Sequence, residues 1–197
     1  MYPIKQFINM AKIYTFFADG FEEVEALAPV DILRRGHQEV VTVSINGSIY
    51  VESSHGVTVK ADMLFEEADF SDADMLMLPG GMPGSLNLKN HEGVRQALIS
   101  QYERGGRIGA ICAAPMVLGS LGLLKGRKAT CSPGFEVYLE GADYTSELYT
   151  IDGNIITGKG PGAALPYSYK ILSFFIDEEE VRVLQHNMQF LQLIGEE

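Results

Sequence analysis

Only two cysteines, Cys112 and Cys131, occur in 197 residues. That is too few for a disulfide framework, so free thiols in a reducing compartment are expected. Positive charge is scarce too: 15 Lys and Arg stand against 26 Asp and Glu, a net charge of −11. A chain of that sign repels phosphate backbones and anionic membranes, and no basic patch offsets the repulsion. Neither nucleic acid nor a membrane is therefore expected as a partner. Long apolar runs are missing as well. The nearest approach, Ile108 to Leu124, is interrupted by Gly109, Pro115, Gly119 and Gly122 and falls short of the roughly 20 residues of a span. The opening MYPIKQFINMAK has no apolar core of signal-peptide length, and a cytoplasmic setting is expected.

Several catalytic signatures are absent. There is no GxSxG serine elbow, no CxxC and no HxxxH, and His37, His55, His91 and His186 lie far apart in the chain. No metal or other cofactor is expected. Ala18-Asp19-Gly20 lacks the glycine spacing of a dinucleotide site. The segment from Gly153 to Gly160 approaches the GxxxxGK[ST] phosphate loop, but Gly160 replaces the hydroxyl residue and Asn154–Thr157 reads as a strand.

What is present is a globular composition, 46% hydrophobic and 21% charged, with apolar runs alternating with helical patterns. That alternation predicts an α/β fold, a doubly wound, mostly parallel sheet with helices on both faces. Residues 1–10 read as an N-terminal extension and 11–197 as one domain. Strands are expected at Lys12–Ala18, Glu39–Ile45, Asp74–Leu78, Ile108–Ile111 and Lys128–Cys131. Tyr50–Glu52 and Val57–Lys60 read as a small hairpin, and Leu148–Ile151 with Asn154–Thr157 as another, turning at Asp152-Gly153. Helices are expected over Phe21–Arg35, from an Asn90 cap through Arg104, over Ala114–Leu121, from Pro161-Gly162 to about Ile176, and over about Glu178–Leu193.

Two residues stand out chemically. Cys112, in GAICAAP, ends a strand and starts the next helix, where free amides favour a thiolate. The amides of Ala113 and Ala114, with those of Gly80-Gly81, are placed to receive an oxyanion. A small buried hydrophobe is the competing reading of Cys112. Glu25 falls among Phe21, Ala28 and Ile32 on the apolar face of the first helix, where a carboxylate is costly unless paired or protonated. Pro29 should kink that helix. If Glu25 meets Cys112, a protonated carboxyl donates to a thiolate and the two titrate as a pair.

DGFEEVEALAPVDILRR, LMLPGG, GAICAAP and TGKGPG together resemble the ThiJ/PfpI superfamily over about residues 11–177. The resemblance implies a flavodoxin-like fold, a homodimer, and a reactive cysteine at a strained elbow, here Cys112, partnered by Glu25. It implies oxyanion amides from Gly81 and Ala113, and a pocket bordered by Gly80, Ser132, Gly160 and Pro161. Many members carry a histidine near the cysteine. Ala113 and Ser132 occupy the two positions that supply it, which disfavours peptidase activity. Two functions are implied: glyoxalase or deglycase action on a small carbonyl substrate such as methylglyoxal, or a redox-responsive stress protein in which peroxide converts Cys112 to a sulfinate. Cys131 reads as a buried strand cysteine.

Overall fold

The computed structural model describes residues 10–196; the extension read over residues 1–9 lies outside them. In chain order the elements are β1 (Lys12–Phe17), α1 (Glu23–Arg35), β2 (Glu39–Ser44), β3 (Tyr50–Glu52), β4 (Thr58–Lys60), β5 (Met63–Leu64), β6 (Met75–Leu78), α2 (Gly84–Asn90), α3 (Glu92–Glu103), β7 (Arg107–Ile111), α4 (Pro115–Ser120), β8 (Lys128–Ala129), β9 (Asp143–Tyr144), β10 (Tyr149–Asp152), β11 (Ile155–Gly158), α5 (Ala164–Leu172), α6 (Glu178–Asn187) and α7 (Phe190–Leu193). The main sheet runs β10-β11-β7-β6-β1-β2-β5. All its neighbours pair parallel except the β10–β11 hairpin at one edge. This is a flavodoxin-like doubly wound fold.

Period-two alternation along the strands separates two cores. Tyr14, Phe16, Leu76, Leu78, Ile108 and Ala110 face the layer built from α2, α3 and α4. Ile13, Phe17, Met75, Met77 and Ile111 face the layer of α1, α5 and the C-terminal helices. The winding reverses between β1 and β6: β1 leads into α1 on one face, and β6 leads into α2 on the other. In open α/β sheets a crevice forms where the strand order reverses, at the carboxyl ends.

Local boundaries differ from expectation for identifiable reasons. Helix α1 begins at Glu23 rather than Phe21, because the Glu22 carboxylate accepts the Glu25 amide at 2.7 Å and serves as the cap. Phe21 instead stacks on Phe17, ring centroids 4.9 Å apart. Pro29 lies inside α1, which continues past it to Gly36. A Cβ on Gly36 would meet Leu172 Cδ1 at 2.3 Å, so the glycine lets α1 end against α5.

Asn90 ends α2 instead of capping α3. The cap is His91, whose Nδ1 accepts the Val94 amide at 3.1 Å. The strand expected over Lys128–Cys131 stops at Ala129, since the Thr130 amide turns to Thr157 Oγ1 at 2.9 Å. Asp152 pairs with Ile155, which moves the hairpin turn to Gly153-Asn154. Pro161–Ala163 forms a separate 3-10 turn, and α5 ends at Leu172 rather than near Ile176. The expected terminal helix breaks at Gln189, which adopts a left-handed φ of 60°. The short strands β5 and β9 carried no pattern of their own in the sequence. Among the described residues no helix is long and apolar enough to cross a membrane.

Candidate active site

Strand β7 carries its hydrogen-bond ladder one residue past its end. The Cys112 amide donates to the Gly158 carbonyl at 2.9 Å, and the chain then turns sharply. Cys112 has φ 64°. A left-handed conformation costs a non-glycine residue about 1–3 kcal/mol and persists only where its surroundings impose it. Here they do: the Cys112 carbonyl accepts the Ser132 amide at 2.9 Å, and the Ala114 amide closes on Ile111 at 3.0 Å. The side chain is left half-buried. Helix α4 starts only at Pro115, so Cys112 stands in the turn before the helix rather than in its first turn. The Gly81 amide and the Ser132 side chain lie near the sulfur.

Glu25 projects from the buried face of α1 and is 1% exposed. Its Oε2 accepts the Gly80 amide at 3.0 Å, and its carboxyl faces Cys112 across Gly80. Gly80 is the residue that permits this approach. A Cβ there would stand 2.4 Å from Glu25 Oε2 and 2.6 Å from Cys112 Cβ. The other oxygen, Oε1, is buried with no hydrogen-bond partner among the described residues. Gly160 borders it, with a Cβ built on that glycine 3.9 Å away. Pro161 is exposed and opens the turn beyond. Ala113 is buried at 1% exposure. The structure thus gathers Cys112, Glu25, Gly80, Gly81 and Ser132 at one point and sets Ala113 and Gly160 beside it.

Burial, assisted by the charge of Glu22, raises the Glu25 carboxyl from 4.5 to about 7. Burial and an ionised Glu25 push the Cys112 thiol up to about 12. Two negative charges in contact do not coexist near neutrality, so the pair carries one. Donors face both partners: the Gly81 amide and the Ser132 hydroxyl lie near the sulfur, and the Gly80 amide donates to Glu25 Oε2. A proton kept on Glu25 adds a further donor to the sulfur. The thiolate expected from the sequence therefore requires that proton to stay on Glu25, whereas an ionised Glu25 leaves it on the thiol.

Glu22 is the functional neighbour that the sequence reading passed over. Caps are normally Ser, Thr, Asp or Asn, and a glutamate in an acidic first turn gives no distinct signal. Glu22, Glu23 and His55 bring one potential ligand atom each within 4.8 Å of one another. Glu23 Oε2 is taken by His55 Nδ1 at 3.0 Å and Glu22 Oε2 by the Glu25 amide, so the group satisfies itself. Cys131 is fully buried in the core layer opposite to the one Cys112 packs against. Hollows of about 680 and 620 Å³ lie elsewhere, one between the end of α1 and α6, the other between α5 and the C-terminal helices.

A doubly wound sheet with a left-handed cysteine and a buried carboxyl at its switch point defines a class of cysteine-elbow α/β proteins. The pattern of the DJ-1/PfpI family matches residues 11–173, and the chain belongs to that family. It is 34% identical to protein dj-1beta of Drosophila melanogaster, covering 84% of this chain and 89% of that one. It is 36% identical to protein DJ-1 homolog B of Arabidopsis thaliana over 88% of this chain, and spans only 40% of that longer relative. A Thermococcus kodakarensis protein named a deglycase is 34% identical, with 77% and 91% of the two chains covered. Among solved structures, a DJ-1 superfamily protein from Salmonella typhimurium superposes with a TM-score of 0.87 at 34% identity, covering 91% and 98%.

Proposed function

We propose that the protein is a cysteine-dependent enzyme acting on small 2-oxoaldehydes such as methylglyoxal. The observation that carries this reading is the fully buried Glu25 held against Cys112 across Gly80. The thiolate adds to the aldehyde carbon, and the resulting alkoxide takes a proton to give a hemithioacetal. Glu25, as carboxylate once its proton has gone to that oxygen, removes the carbon-bound proton. It returns it to the adjacent carbon through an enediol. The thioester so formed is hydrolysed by water, releasing lactate and restoring the thiol. The Gly81 and Ala113 amides face the developing oxyanion. The name deglycase carried by archaeal relatives supports a carbonyl-directed activity.

A second reading is favoured by one finding. A similar solved structure, 31% identical with a TM-score of 0.86, is Toxoplasma gondii DJ-1 in an oxidized form. In that reading the thiolate reduces two molecules of peroxide to water and becomes a sulfinate, held by the Gly81 amide and Glu25. Lactate formation from methylglyoxal separates the two. The enzyme reading expects turnover that Cys112→Ala abolishes. Lactate at the protein-free rate, with a stable sulfinate on Cys112 after peroxide, rejects it. We further propose a homodimer that pairs through the exposed face of α1.

A further inference from the structure

Glu25 occupies the third helical position of α1, where a capping-box glutamate turns back onto the amide of its own cap. The cap here is Glu22, and its side chain closes one half of the box: Glu22 Oε2 accepts the Glu25 amide at 2.7 Å. The other half is opened by Gly80. The Glu22 amide donates to the Gly80 carbonyl at 2.9 Å, and Glu25 Oε2 accepts the Gly80 amide at 3.0 Å. The first turn of α1 therefore clasps Gly80 from both sides. Gly81 packs on the same turn, where a Cβ built on it would stand 2.4 Å from the Glu22 nitrogen. Glu22 is buried, at 9% exposure, so its carboxylate is fixed against the backbone of Glu25. Free amides and the dipole at a helix N-terminus favour a negative charge and would draw the proton off Glu25. A carboxylate already bonded to the Glu25 amide takes up that field and opposes a second charge beside it.

We propose that Glu22 is a positioning residue for the Cys112–Glu25 pair: as the charged cap of α1 it sets Glu25 against Gly80 and biases the shared proton toward Glu25. The proposal rests on the reading of Cys112 as a reactive thiol, and it gives Glu22 no part in proton transfer. Glu23 of α1 and His55 of the β3–β4 turn face Glu22. Cys112 faces Glu25 from the β7 elbow, and Tyr167 of α5 lies within reach of its charge.

The test is the pH dependence of iodoacetamide alkylation of Cys112 in the full chain, read by mass spectrometry. Glu22→Gln keeps an oxygen for the Glu25 amide and removes the charge, whereas Glu22→Asp keeps both. Loss of an adjacent like charge moves the balance between carboxyl and thiol by about one unit. Glu22→Gln is therefore expected to alkylate more slowly near neutral pH, by up to about tenfold, and Glu22→Asp to alkylate as the wild type does. Cys131 stays unlabelled in each folded variant and reports intact packing. A merely structural cap makes Glu22→Gln and the wild type alike, so superimposable profiles overturn the proposal while leaving the reactive cysteine in place. A difference that vanishes in a His55→Gln background belongs to the imidazole and also overturns it. Glu25 is read independently by carboxyl-carbon NMR in the Cys112→Ala background. There Glu22→Gln is expected to lower its titration by about one unit, and an unmoved titration overturns the proposal. A wild-type Cys112 that does not alkylate at any pH below the free-thiol range overturns the reactive-cysteine reading and this proposal with it.

Discussion

Glu25 holds its proton because burial makes its charge expensive, and that preference is measurable as stability. In the Cys112→Ala variant the carboxyl loses its sulfur partner but keeps its burial. The unfolded chain ionises Glu25 near 4.5, and the folded wild type holds the proton to about 7 against the lowering effect of Cys112, an effect the variant lacks. Above 4.5 the unfolded state binds fewer protons, so stability falls as pH rises. It is complete below 4.5 and is lost as pH climbs to about 7 and beyond, amounting to roughly 3 kcal/mol at 1.36 kcal/mol per unit. Urea midpoints of Cys112→Ala, referred to the Cys112→Ala/Glu25→Gln double variant, are expected to show this decline. A difference that is flat or rising across the window contradicts the assignment. Glu25 was legible in the sequence because a carboxylate among Ala28 and Ile32 breaks a helix's apolar face. The left-handed turn at Cys112 was not legible from the residue itself, since cysteine has no preference for it. That turn is imposed by bonds to Gly158 and Ser132, remote in sequence.

At the scale of elements, strands with strong apolar runs were placed to within a residue or two, and the errors gather at ends. Three of them follow a side chain replacing a backbone partner: Glu22 capping α1, His91 capping α3, Thr157 taking the Thr130 amide. Periodicity does not record such exchanges. Helix α1 also shows a second face. Val24 is 49% and Leu27 37% exposed, one turn apart and opposite the buried Glu25 side. Exposed apolar side chains grouped on a helix mark an interaction surface, and two copies pairing there would bury them. Sedimentation is expected to give a dimer for the wild type and a monomer for Leu27→Glu. A monomeric wild type, or an unaltered dimer in Leu27→Glu, rejects pairing across this face.

For the whole molecule, the alternation of strands and helices was enough to predict a doubly wound sheet. It could not give the spatial strand order, which depends on which face each helix covers. That order is what brings α1, the β6–α2 turn and the end of β7 to one rim, so that Glu25, Gly80 and Cys112 meet. It also sends the two thiols to opposite layers, Cys112 half-buried at the rim and Cys131 fully enclosed. The fold thus leaves one thiol within reach of a small molecule and encloses the other.

The proposed chemistry requires that Cys112, rather than Glu25, carry the charge of the pair. It is tested most directly by alkylating the native wild-type protein with iodoacetamide across pH and reading Cys112 and Cys131 separately. The account predicts that Cys112 reacts as a thiolate well below the ~8.5 of a free thiol, while Cys131 labels only after unfolding. A Cys112 that titrates at or above the free-thiol value would place the charge on Glu25 and contradict it.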